Sequence, residues 1–106
     1  MPKKATNDQR AEKRVRKTLF CELQCEGKRQ PAVVLDISPR GLFILTATKF
    51  AKGTEVTVTL RMTGGRLWEL HAEVARDPQD DPLYARGVGL RIIHPPDGFA
   101  EFVESL

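Results

Sequence analysis

Apolar and polar residues alternate with a period of two along most of the chain. Leu19, Cys21, Leu23 and Cys25 alternate with Phe20, Glu22, Gln24 and Glu26 before Gly27, which predicts a half-buried strand ending in a turn. The run from Pro31 to Ile37 predicts a second strand with Val33, Leu35 and Ile37 on one face, and Leu42 to Thr46 a short third one. In "TEVTVTLRM", Val56, Val58, Leu60 and Met62 point one way while Glu55, Thr57, Thr59 and Arg61 point the other, the signature of a sheet with one wet side. Gly64 and Gly65 supply a hairpin turn. Beyond it Trp68, Leu70, Ala72 and Val74 share a face opposite Glu69, His71 and Glu73.

The acidic loop "DPQDDP" precedes a last strand, Tyr84 to Ile93, with Val88, Leu90 and Ile92 on one face. Six strands with short connections predict a small, mainly β, antiparallel barrel. Pro95 and Pro96 end the sixth strand, and Asp97 is placed to cap a helix. There the period changes: Phe99, Phe102, Val103 and Leu106 fall at i, i+3, i+4 and i+7, one apolar helical stripe. A helix of about ten residues is unstable alone in water, so this one is expected to plug one end of the barrel.

A chain of 106 residues holds one domain. The net charge of +3 conceals an asymmetry: residues 1–18 carry +5 and residues 19–106 carry −2. The division predicted is therefore a flexible basic N-terminal arm, residues 1–18, and a barrel with its C-terminal helix, residues 19–106. Concentrated positive charge in the arm implies an anionic partner there. No apolar run is long enough for a membrane span, and the polar start MPKKATNDQR lacks a signal-peptide core; membrane insertion is not expected, and a cytoplasmic location is.

The residues give little to an enzyme. Cys21 and Cys25 on one strand would lie about 13 Å apart, too far for a disulfide or a shared metal. His71 and His94 have no second ligand near in sequence, so no metal or other cofactor is expected. No nucleophilic triad and no P-loop is present, and no catalytic residue is assigned.

Two short motifs remain. In Arg10-Ala-Glu-Lys-Arg14, two guanidinium groups four residues apart can converge on one anion in a turn-like conformation, and each fork matches the O6/N7 edge of guanine. In Asp36-Ile37-Ser38-Pro39-Arg40-Gly41, Ser38 to Gly41 suit a type I turn. That turn leaves Asp36 unexplained, because a strand end disfavours aspartate. Its carboxylate can accept hydrogen bonds from a donor edge such as guanine N1 and N2, Ser38 adds a hydroxyl, and Gly41 admits close approach.

RxxxR, then (D/N)xSxxG about twenty residues later, then a six-stranded barrel with a C-terminal helix and "GVGLRI" at Gly87 to Ile92, resembles the PilZ domain. That family is a bacterial receptor for cyclic di-GMP. The resemblance implies that Arg10 and Arg14 grip phosphates and guanine edges, that Asp36 and Ser38 bond guanine or ribose, and that Gly41 keeps the turn open. Gln9 stands where many members carry another arginine, a position tied to ligand stoichiometry. Val74 aligns where some members stack an aromatic ring on a base. The resemblance further implies a separate downstream protein, with outputs in motility or exopolysaccharide production.

The expected function is therefore a second-messenger receptor that relays cyclic di-GMP binding by ordering its arm. The alternative is a PilZ-like adaptor acting through protein contacts with weak or absent ligand binding. DNA or RNA is not an expected partner, since Phe20 and Phe43 are the only aromatic candidates for base stacking on the exposed sheet face and the barrel is mildly acidic. Those two rings either form an interface or complete the core.

Overall fold

The computed structural model describes residues 14–76 and 87–106. Among these, six strands close into one antiparallel barrel: β1 (Val15–Cys25), β2 (Lys28–Ser38), β3 (Gly41–Leu45), β4 (Glu55–Arg61), β5 (Leu67–Arg76) and β6 (Gly87–Ile93). The strands run around the ring as β1-β2-β3-β6-β5-β4, and the pairs Cys21 with Leu60 and Leu23 with Val58 close it. β1 begins at Val15, so residues 15–18 of the segment read as arm belong to the sheet. Glu26 and Gly27 both take positive φ in the two-residue turn between β1 and β2. That backbone matches the twist of paired strands, which is why glycine stands there.

The alternation read from the sequence holds in β4, β5 and β6, where Val56, Val58, Leu60, Leu70, Ala72, Val74, Val88, Leu90 and Ile92 are all buried. It fails in β2. Ala32, Val34 and Ile37 are the buried apolar residues, whereas Val33 and Leu35 are only partly covered. The cause is a β-bulge: Val34 pairs with Ile44 and Asp36 with Phe43, so Leu35 is an extra residue that shifts the inward set by one.

Helix α1 (Phe99–Glu104) has six residues, shorter than the spacing implied. Its Phe99 and Val103 are fully buried and join the barrel core, and Phe102 and Leu106 pack against it. Trp68 meets Phe99 edge-on at 5.3 Å and 74°, and Phe102 at 5.3 Å. Asp97 is not the cap. Gly98, at φ 85°, occupies that position without any side-chain hydrogen bond; burial of the apolar stripe holds the helix where capping does not. No helix among the described residues is long and apolar enough to cross a membrane.

The polar faces agree with the sequence. His71 is exposed, and Glu73 pairs across strands with Arg91 through an ion pair on the outer wall. Burial pushes the Cys21 thiol up to about 11, so at neutral pH it is a protonated core side chain rather than a nucleophile. Among the described residues no three His, Cys, Asp or Glu side chains are grouped to hold a metal ion.

Candidate functional site

Three bulges interrupt the barrel, and all three feed one region. The first lies in β1 between Arg16 and Leu19, the second at Leu35 in β2, and the third at Ala75 in β5, where Val74 pairs with Leu90 and Arg76 with Gly89. A bulge leaves one residue unpaired and re-aims its neighbours, a common device beside binding sites. Here each contributes to a pair of adjoining grooves. One, of about 400 Å³, is lined by Arg14, Asp36, Leu42, Phe43, Ala75, Gly89 and Leu90. The other, of about 360 Å³, is lined by Arg16, Lys17, Thr18, Leu35, Asp36 and Phe43.

Asp36 and Phe43 therefore stand between the two grooves as a shared wall. They are cross-strand partners, and Asp36 also sits opposite Arg16 on β1. Arg14, immediately before β1, donates a hydrogen bond from Nη1 to Asp36 Oδ1 at 2.8 Å. Half of the Arg14 side chain is exposed, against a quarter of Asp36. Residues 22 apart in sequence thus form one charged pair at the mouth of an otherwise largely apolar groove. The first arginine of the motif, Arg10, lies outside the described residues, as does Gln9.

Ser38 and Gly41 take a different place. Ser38 is buried, its hydroxyl donating to the Gly41 carbonyl at 3.3 Å, and neither residue lines either groove. A Cβ at Gly41 would stand 3.0 Å from the Leu90 carbonyl oxygen, so glycine there lets β3 lie close against β6. The Ile92 amide donates to the Arg40 carbonyl at 2.8 Å and fixes the turn to the end of β6. These residues build the hairpin that presents Asp36.

Val74 is fully buried and faces the core, so it cannot offer a surface to a base. The β5 residue on the groove is Ala75, brought there by the bulge, and its sequence alternation gave no sign of it. Gly87 and Phe43 form a second unforeseen feature. The Phe43 ring lies directly over Gly87, where an added Cβ would come within 2.0 Å of Cζ. The glycine of "GVGLRI" is in this sense a berth for the ring. Gly87→Ala is expected to push the Phe43 ring aside at a stability cost of no more than about 1 kcal/mol, because a partly exposed ring can swing away. Aromatic NMR resonances of Phe43 should move while the melting temperature stays nearly constant; an unmoved ring would contradict the packing.

Comparisons agree with this architecture. The inhibitor of motility MotI/DgrA of Bacillus subtilis superposes with a TM-score of 0.70 at 19% identity, covering 89% of this chain and 49% of that one. The chain thus spans about half the length of MotI/DgrA. The PilZ domain of CeSA from a cellulose-synthesizing bacterium gives a TM-score of 0.65 at 16% identity, over 86% of this chain and 97% of that domain. At such identities the likeness concerns the fold. A comparison with curated proteins finds no match. The sequence profile of the PilZ domain matches residues 8–104, nearly the whole length, and with the barrel, its plug helix and the Asp36 hairpin in place the chain belongs to the PilZ domain family.

Proposed function

We propose that the protein is a receptor for cyclic di-GMP that relays binding to a separate protein. The observation that carries this reading is the meeting of Arg14 and Asp36 over a groove of about 400 Å³ in a chain of this family. Cyclic di-GMP carries two phosphodiester charges and two guanines. A guanidinium donates two parallel bonds to a phosphate or to the O6/N7 edge, and a carboxylate accepts from guanine N1 and N2. Phe43 and Ala75 supply apolar surface for the base. Arg10 adds a second guanidinium from the arm, and a ligand bridging the arm and Asp36 draws the arm onto the barrel, giving a partner a new surface.

In the free protein Arg14 and Asp36 satisfy each other, so ligand binding exchanges one charged contact for several. Ser38 and Gly41 hold the hairpin that sets Asp36 in place. The outputs proposed are motility or exopolysaccharide control; MotI/DgrA is named an inhibitor of motility, and the CeSA domain comes from a cellulose-synthesizing bacterium. Isothermal titration with cyclic di-GMP, with GTP and cyclic GMP as controls, tests the reading. Selective binding at or below about micromolar Kd, near −8 kcal/mol, is expected. Absence of heat would favour an adaptor that works through protein contacts alone.

A further inference from the structure

We infer that the outer face of β1, β2 and β3 is a docking surface for an acidic amphipathic segment of a partner protein. Phe20 is 73% exposed and Leu45 40% exposed. Both belong to one groove of about 390 Å³ completed by Pro31, Ala32, Val33, Thr46 and Ala47. Phe20 pairs with Val33, and Val33 with Leu45, so the three side chains form a row across three strands. The rim is fixed: the Thr46 and Thr48 hydroxyls donate to Gln30 Oε1 at 3.1 and 2.7 Å. An open aromatic ring beside a preformed apolar groove is the kind of anchor that dominates protein interfaces.

Charge selects the occupant. The three strands carry Arg16, Lys17, Lys28 and Arg29 against Glu22 and Asp36, and Asp36 is engaged by Arg14. Lys17 is exposed on β1 three residues before Phe20, and Arg29 is exposed on β2 two residues before Pro31. Carboxylates on an amphipathic partner would meet these cations while its apolar side chains fill the groove. A second copy would oppose like charges.

The inference rests on the reading of the chain as a relay; the apolar groove shares no lining residue with the two grooves at Asp36, although Arg16 and Lys17 beside it line the second of those. The probe is a labelled synthetic peptide with leucines at helical spacing and glutamates between them, alongside a twin with lysine for glutamate. Fluorescence anisotropy on the full chain should show binding of the acidic peptide only, with amide shifts clustered at Phe20, Val33 and Leu45. Phe20→Ser and Leu45→Ser should each weaken it at least about tenfold, and Arg29→Glu should move the preference toward the lysine twin.

Equal binding of both peptides, or shifts elsewhere, would overturn the inference. So would a Phe20-dependent dimer in sedimentation, or Phe20-dependent binding to phosphatidylglycerol vesicles without peptide binding. Each variant is also titrated with cyclic di-GMP. Retained nucleotide binding in Phe20→Ser and Leu45→Ser separates the two sites, and Phe20-dependent peptide binding by a chain that ignores the nucleotide would retire the receptor reading alone.

Discussion

Replacing Arg14 by alanine is expected to weaken cyclic di-GMP binding about a hundredfold and to leave the barrel folded. A charge-assisted hydrogen bond contributes about 1.5 kcal/mol or more, and a bidentate guanidinium makes two, so roughly 3 kcal/mol is at stake. Asp36→Ala removes the acceptor for the guanine edge and should do as much. Stability should hardly change in either case. The pair they form is half open to water on the Arg14 side, and exposed ion pairs contribute about 0–1 kcal/mol. Titration calorimetry with matched thermal melts separates the two effects. Wild-type affinity in both variants would remove these residues from the site, whereas loss of affinity together with loss of the fold would be at odds with the exposed position of the pair.

Phe99→Ala should be the most damaging single truncation at the plug, destabilising the domain by about 3–5 kcal/mol. Phe99 is fully buried, lies edge-on to Trp68 and stacks beside Phe102 at 5.9 Å. A six-residue helix has no stability of its own, so removing its main anchor frees the whole segment and uncovers the core beneath it. Trp68 is the single tryptophan, so its fluorescence reports this packing directly during urea unfolding. A loss below about 1 kcal/mol would mean that the helix is an ornament rather than part of the core.

Much of this fold is legible in the sequence. Strict alternation in β4 and β5 gave the inward residues from Val56 to Val74, because a strand with one wet face must sort its side chains by polarity. The stripe Phe99, Phe102, Val103 gave the plug for the same reason at a different period. The bulges were not legible. An inserted residue reverses the alternation beyond it without leaving a mark in composition, so Val33 and Leu35 read as sharing the face of Ile37, when Ala32 and Val34 are the buried residues on that side; Val74 was inward by alternation, and only the family resemblance set it beside a base, where Ala75 lies. The helix cap failed differently: Asp97 is a good capping type, yet the chain turns at Gly98 through a left-handed conformation that the preceding residues do not announce.

The geometry of the candidate site was legible in part. The motifs and their family resemblance nominated Arg14 and Asp36, and the register of β1 against β2 brings them within 2.8 Å. Ser38 and Gly41 were nominated in the same breath, and their positions are those of a scaffold for the hairpin. Phe43 and Gly87 were legible only as residue types, since a ring resting on a glycine of another strand is a long-range fact.

The pairing of β1 with β4 has a further consequence. Where a strand is paired on both sides an extended peptide finds no row of unpaired amides and carbonyls, so among the described residues strand addition is confined to the segments that overhang a neighbour, 15–20 of β1 on the β4 side and 28–32 of β2 on the β3 side. The same closure limits the length of edge open to sheet-to-sheet aggregation. Over the rest of the wall recognition passes through side chains, which can be exchanged with the hydrogen-bonded frame left as it stands.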